Sequence, residues 1–317
     1  MILVVNGLTL AEAARFIERK YGPRAGALTP LVAGGWSSAY AVTIDGQDVV
    51  VRFGAYGDDF VKDQVMAAHT SELLPIPEVL EIGEAPGGYV IVARRAYGGF
   101  LDDLDADGMR AILPQLLTAL RETWRIDVSA TTGYGGWAPD GAASHPSWRD
   151  ALMDIANVRP NPRLQGWRES LEASPTGAAS WDAGVAALRA LVERCPEDRR
   201  IIHNDLLHRN VLVQDGKLSA ILDWGNSMYG DGVYDLALLT YAWHWYPQWS
   251  DIDLRGMIGE FMANDQGGVE PLNLDDRLRC YQLHLSLDSQ SYTAFIRDWD
   301  DLAEHALRTQ ALIEGAP

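Results

Sequence analysis

The chain has 317 residues, 47% of them hydrophobic, enough to bury a large core as two domains or one two-lobed unit without a covalent staple. Acidic residues outnumber basic ones 44 to 26, a formal charge of −18, which repels nucleic-acid phosphates and anionic lipid and draws cationic small molecules. Only Cys195 and Cys280 carry thiols, which excludes a cysteine-built zinc site or a disulfide framework, and no apolar run reaches the length of a membrane span.

The apolar start, residues 1–6, lacks a basic region and a small-residue cleavage site, so it predicts no signal peptide and a cytoplasmic protein. Thr9 and Glu12 fit a capping box. Leu10, Ala13, Ala14, Ile17 and Tyr21 then recur at helical spacing until Gly22-Pro23. Strand formers follow Gly34-Gly35-Trp36-Ser37-Ser38, Asp45-Gly46 is a hairpin signal, and 48–53 is the return strand. A helix over 59–72 stops at Leu74-Pro75-Ile76-Pro77, and strands at 79–82 and 89–93 complete a β-rich lobe of residues 1–93.

Residues 94–317 read as mainly helical. Asp102-Asp103-Leu104-Asp105-Ala106-Asp107 reads as a solvated cap. A helix is expected over 113–124, with Pro114 confined to its first turn. The Gly-, Pro- and Ala-rich stretch 131–147 reads as a long loop, and helices are expected over 148–157, 183–194, 233–245, 254–262 and 275–291. Short strands at 201–202, 211–213 and 218–222 flank loops. The predicted class is α+β, a small β-rich lobe joined to a larger helical one.

Those loops carry the chemistry. His203-Asn204-Asp205-Leu206-Leu207-His208-Arg209-Asn210 is an H-x-D-x-x-x-x-N segment, and Leu222-Asp223-Trp224-Gly225 begins twelve residues after Asn210. Phosphoryl transfer needs one Asp to orient the attacking hydroxyl, and an Asn and a second Asp to hold magnesium on the nucleotide phosphates. Loops leaving short apolar strands place such polar atoms on a rigid scaffold. A P-loop, a Rossmann fingerprint, H-E-x-x-H and a G-x-S-x-G elbow are all absent from the sequence.

On these residues the chain resembles the aminoglycoside phosphotransferases, members of the protein-kinase-like superfamily. Gly34-Gly35-Trp36-Ser37-Ser38-Ala39-Tyr40 looks like the family's nucleotide loop. Gly230-Asp231-Gly232-Val233-Tyr234-Asp235-Leu236-Ala237 is similar to its G-D-P-x-x-D-L-A, with Gly for Pro. The stretches 74–84 and 287–292 are most similar to the branch whose acceptor is hygromycin B. The resemblance implies a bilobal kinase-like fold with ATP or GTP and Mg2+ as cofactors, acting as a monomer on an aminoglycoside, hygromycin B first. It makes Asp205 the catalytic base, Asn210 and Asp223 the magnesium ligands, and Asp235 a structural acceptor for the catalytic loop. Ser37, Ser38, Arg52, Asp63, Arg94 and Ala96 would serve the nucleotide.

Two positions depart from the family. Arg52 stands where most kinases hold the nucleotide with Lys; it keeps the charge and adds a planar fork. Its expected acidic partner is Asp63, with Lys62 and Asp59 as competing registers. Leu207 stands where a basic residue is usual, leaving His208 and Arg209 as substitutes. For the cationic acceptor the candidates are Asp288, Gln290 and Trp243, with His244, Trp245 and the acidic residues of 298–304 behind them. Two alternatives stay open: a kinase of a macrolide or metabolite on the same fold, and a nucleotide-binding pseudokinase or sensor.

Overall fold

The computed structural model describes residues 7–31, 35–157, 163–264, 269 and 272–315; the start at 1–6, and Gly34 with its neighbours Val32 and Ala33, lie outside them. In chain order come α1 (Leu10–Tyr21), β1 (Thr29–Pro30), β2 (Ser37–Ile44), β3 (Gln47–Gly54), α2 (Gly57–Ala67), β4 (Val79–Ala85), β5 (Gly88–Arg94), β6 (Gly99–Phe100) and α3 (Ala106–Trp124). Next are β7 (Tyr134–Trp137), β8 (Ala143–His145), α4 (Trp148–Met153), α5 (Trp167–Ala173), α6 (Ala179–Leu191), β9 (Arg200–Ile202), β10 (Val211–Gln214), β11 (Lys217–Ile221) and β12 (Met228–Gly230). Helices α7 (Val233–Ala242), α8 (Leu254–Asn264), α9 (Leu274–Ile296) and α10 (Trp299–Glu314) follow. None of the described helices is long and apolar enough to cross a membrane.

The chain divides into two compact units, Met1–Ala119 with Leu207–Ser227, and Leu120–Leu206 with Met228–Pro317. In the first, an antiparallel sheet runs in the order β1-β2-β3-β5-β4. The β2–β3 turn has Asp45 at φ 51° and Gly46 at φ 76°, the pair of left-handed residues that a two-residue hairpin turn requires. One face of the sheet buries Tyr40, Val42, Val51, Phe53, Val90 and Val92 against Ala13 and Ile17 of α1. The α1 capping box is complete, Thr9 and Glu12 each satisfying the other's backbone. A second, three-stranded sheet, β11-β10-β6, belongs to the same unit.

Helix α3 starts at Ala106, so Pro114 sits inside it rather than in its first turn. The proline costs about 3 kcal/mol. Met109, Ile112, Leu113 and Leu116 are each at most 1% exposed, and burying side chains of that size contributes about 1.5–3 kcal/mol apiece. Burial therefore wins, and the helix continues through the proline.

In the second unit, β8-β7-β12-β9 form a four-stranded sheet. Residues 131–147, expected as loop, supply two of its strands. Gly133, Gly135 and Gly141 take positive φ, and Trp137 stacks on Tyr229 with ring centroids 5.6 Å apart. Helices α5, α6, α7 and α10 all pack on α9. The Gly230-Asp231-Gly232 corner is tight: a Cβ at Gly230 would lie 2.5 Å from the Trp148 ring, and one at Gly232 2.7 Å from Trp124. Between them the buried Asp231 carboxylate receives Arg277 Nε at 2.7 Å and the Tyr281 hydroxyl at 2.5 Å.

Candidate active site

The first unit brings Arg52, Asp63, Asn210 and Asp223 together. Strands β10 and β11 pair from Val211↔Ile221, and Leu222 N–H donates to Asn210 O at 2.7 Å, so Asn210 and Asp223 leave the ladder side by side. Asp223 adopts the left-handed conformation at φ 59°, ψ 69°, which Asp takes more readily than most side chains. Arg52, on β3, donates from Nη2 to Asp223 Oδ1 at 3.0 Å and from Nη1 to Asp63 Oδ2 at 2.9 Å. Asp63 is thus the acidic partner from α2. Its other oxygen, Oδ1, accepts Trp224 N–H at 2.8 Å.

Burial pushes the Asp63 carboxyl up to about 6; Arg52 opposes this, and the Asp223 carboxylate adds to it. Burial works against the Arg52 charge, but Asp223 and Asp63 outweigh it and raise the guanidinium's pKa. Lys62, one residue from Asp63 in sequence, is not a competitor for Arg52's neighbourhood. It is buried, and its Nζ donates to Gly225 O at 3.0 Å and Ser227 O at 3.1 Å. Helix α2 therefore holds the segment after Asp223 at three points.

The other nucleotide candidates are placed differently. Ser37 opens β2 opposite Gly54 and is half-buried. Ser38 is 6% exposed, packed so closely on Gly7 that a Cβ there would lie 2.7 Å from its Oγ. Arg94 ends β5 exposed, paired through Nε to Glu78 Oε2 at 2.9 Å. Ala96 is half-buried in the segment that follows. The Arg94 ion pair lies at the surface, while Arg52 pairs with Asp63 and Asp223.

In the second unit β9 delivers His203, fully buried, to the first turn of α7. There Asp235 accepts His203 N–H through Oδ2 and Asn204 N–H through Oδ1, each at 2.9 Å. This is the structural acceptor role expected of it. Burial raises its carboxyl to about 7, opposed by those two N–H groups. Asp205 N–H donates to His203 Nδ1 at 3.1 Å, which puts the imidazole proton on Nε2. The backbone at Asp205 is thus anchored while its side chain stays half-exposed.

Helix α9 supplies the neighbouring face. Tyr292 is raised first by burial and then by the Asp205 charge, which places that carboxylate near it. One turn earlier, Asp288 keeps a solvent-exposed face within a dense protein surround that pushes its carboxyl up to about 6. His284 Nδ1 meets the Tyr234 hydroxyl at 2.8 Å, and burial lowers its pKa to about 4, so it is neutral at pH 7.

Gln290 is not on this face. It is fully buried and donates Nε2 to Thr309 Oγ1 at 2.7 Å, in the α9–α10 core. Residues two apart on a helix lie about 200° apart around it, so Asp288 and Gln290 cannot both face the acceptor. Trp243 spends its indole N–H on Trp249 O at 3.3 Å and tilts against that ring at 4.8 Å. Trp245 Nε1 and His244 Nε2 both meet Glu304 Oε1, at 2.8 and 2.6 Å. Leu207 is wholly buried, and His208 and Arg209 are exposed.

Two residues of the assembly escaped the sequence. Lys62 carried a helical-register signal but no hint of its carbonyl partners. Asp102, in the acidic run expected to be solvated, turns to the loop instead and accepts His208 N–H at 3.0 Å and Arg209 N–H at 3.1 Å.

Residues 29–272 match the phosphotransferase enzyme family, APH. The chain belongs to that family. It is 30% identical over 308 residues to hygromycin-B 4-O-kinase of Escherichia coli, covering 96% of this chain and 86% of that protein. The crystal structure of aminoglycoside phosphotransferase APH(4)-Ia superposes with a TM-score of 0.82 at 29% identity, over 98% of this chain and all of that one. A thermostable mutant of the same enzyme, in ternary complex with AMP-PNP and hygromycin B, gives 0.81 at 29% identity over 96% and 98% of the two chains. Aminoglycoside 2'-phosphotransferase-IIIa, at 16% identity and a TM-score of 0.59 over 97% and 99%, shares the fold. The α+β kinase-like fold expected from the motifs is the fold of this chain.

Proposed function

We propose that the protein transfers the γ-phosphoryl group of ATP to a hydroxyl of an aminoglycoside, with hygromycin B as the preferred acceptor. The observation that carries this reading is the anchored Asp205 loop, occurring in a chain whose APH(4)-Ia relative binds an ATP analogue and hygromycin B together. Asp205 accepts the proton of the attacking hydroxyl and aims its lone pair at phosphorus. His203 and Asp235 hold the Asp205 backbone still while this happens.

Asn210 and Asp223 fit a magnesium ion. Their donors are hard oxygens on residues that leave adjacent strands, and magnesium takes one or two protein ligands beside substrate phosphates and water. Two protein ligands leave the remaining positions of such an ion to phosphate oxygens and water. Asn210 and Asp223 would hold the ion, which would supply positive charge to offset that of the nucleotide phosphates.

Arg52 is assigned to the nucleotide phosphates, positioned by Asp63, while Ser37, Ser38, Arg94 and Ala96 are assigned to the nucleotide's surroundings, with residues 1–93 as its lobe and 94–317 as the catalytic lobe. Asp288 is assigned to the acceptor's ammonium groups, and Trp243 to its ring faces. The reading needs no second subunit, nucleic acid or membrane, and an ATP-dependent kinase of this kind belongs in the cytoplasm.

A coupled ADP-release assay with hygromycin B, a kanamycin-type aminoglycoside, a macrolide and choline tests the reading. Hygromycin B should lead. Turnover with the macrolide or choline and none with either aminoglycoside would replace the acceptor class. No ADP release with any acceptor at saturating magnesium would favour a nucleotide sensor.

A further inference from the structure

Between Asp205 and Asn210 the backbone passes through two consecutive strained residues. His208 has φ 64° and Arg209 φ 71°, a conformation that brings Cβ too close to the following carbonyl and that L-residues other than Gly adopt reluctantly. The preceding residue, Leu207, is fully buried. The following one, Asn210, is tied to the β10–β11 ladder through its carbonyl. Residues 208 and 209 are therefore a short hinge between two fixed points. Their φ/ψ values decide how the Asn210 side chain leaves the ladder.

What holds the hinge comes from far away in sequence. Strand β6 pairs with β10 through Leu212↔Phe100 and Val213↔Gly99. A single 3₁₀ turn, Leu101–Asp103, follows it and carries Asp102 back along β10 to the hinge. The His208 and Arg209 N–H groups converge on one anion. The Asp102 carboxylate supplies that anion with one oxygen per N–H, at 3.0 and 3.1 Å. The same segment makes a second contact, with the Arg209 guanidinium 5.3 Å from the centre of the Phe100 ring.

We infer that Asp102 is a positioning residue for phosphoryl transfer, locking His208 and Arg209 in the left-handed backbone that presents Asn210 to the magnesium ion. The inference rests on the reading of Asn210 as a magnesium ligand. Asp102 touches no reacting atom. Its effect passes through the backbone to the next side chain. A displacement of about 1 Å at a reacting centre lowers rates by up to roughly 100-fold, and Asp102 prevents one of that kind.

The test uses the full-length protein and three variants: Asp102→Ala, Asp102→Asn, and Asp102→Ala combined with His208→Gly and Arg209→Gly. Amide hydrogen exchange across 206–212 is read beside a magnesium titration of ADP release. Asp102→Ala should deprotect both amides, lower turnover roughly 10- to 100-fold and raise the magnesium concentration at half-activity. Asp102→Asn, with one acceptor oxygen, should protect one amide and fall between. The glycine variant should stay deprotected yet recover most of the lost turnover, because glycine takes positive φ without steric cost.

A purely structural role would shift neither the magnesium requirement nor respond to glycine. Turnover and magnesium dependence of Asp102→Ala within about threefold of wild type, or a folded glycine variant no better than Asp102→Ala, would overturn the inference. Should Asp102→Ala fail to fold, Asp102→Asn decides by the same two readouts. Should the wild type release no ADP with hygromycin B, the acceptor assignment fails separately. Acceptor-independent ATP hydrolysis and the exchange pattern then still decide the role of Asp102.

Discussion

Replacing Lys62 by Met tests whether α2 organises the segment that carries Asp223. The methionine keeps most of the stem volume and removes the ammonium, whose two hydrogen bonds reach Gly225 O at 3.0 Å and Ser227 O at 3.1 Å. Hydrogen bonds from a charged donor contribute about 1.5–3 kcal/mol each. Releasing a buried ammonium to water in the unfolded comparison returns several kcal/mol of desolvation cost. Against that return, two carbonyls face a thioether and lose about 1–3 kcal/mol each. The net is a destabilisation of about 2 kcal/mol, or a fall in Tm of about 3 °C for a chain of this size. Urea unfolding followed by tryptophan fluorescence measures it. A magnesium titration of turnover reads the functional half: the half-activity concentration should rise while the acceptor KM stays put. Stability within about 0.5 kcal/mol of wild type, together with an unchanged magnesium requirement, would refute the wiring described for this segment.

Asp205→Asn should fold and bind nucleotide but lose roughly 10²–10⁴ in kcat, the share of a positioned general base; ADP release at saturating substrates measures it, and near-normal turnover would remove Asp205 from that role. Arg52→Ala should raise the nucleotide KM more than the acceptor KM, with Arg52→Lys intermediate because the charge is kept and the fork lost; an unchanged nucleotide KM would place Arg52 outside the phosphate site. Asp288, held up at about 6, is protonated below that pH and a carboxylate above it. The KM for hygromycin B should therefore fall as pH rises from about 5 to about 7, with the ATP KM flat, and Asp288→Asn should abolish the slope. A slope that survives Asp288→Asn would assign the titration to another group.

How much of the fold the sequence discloses depends on where the deciding interaction lies. The Asp45-Gly46 hairpin and the Thr9–Glu12 cap are legible because local chemistry alone specifies them: positive φ at both turn residues, and two reciprocal hydrogen bonds. Strands β1, β6 and β12, two or three residues each, have no period to read and exist because a partner strand is present. The β7–β8 segment was hidden by glycines that mark turns in most sequences but here bend strands. Pro114 misleads for the converse reason, since a buried helical stripe on both sides outweighs its local penalty.

The site divides along the same line. Asp205, Asn210 and Asp223 stand out because phosphoryl transfer needs those side chains at loop positions after short strands, a requirement written in spacing. Helix α2 is legible only to within a register: Asp59, Lys62 and Asp63 share one turn, and their separate duties follow from what β3 and the Asp223 segment offer them. Asp102 is beyond sequence reasoning, because its two donors lie 106 and 107 positions away. Gln290 is the instructive case. Its separation from Asp288 by two residues already implies opposite sides of a helix, so pairing them as acceptor ligands conflicts with the helix expected over 275–291. Reading α9 by face instead assembles His284, Asp288 and Tyr292, with the Tyr234 hydroxyl on His284 and the Asp205 charge felt at Tyr292. On the reading proposed above, the neutral imidazole, ionisable carboxylate and phenol of this helix face are the surface that sorts acceptors by charge.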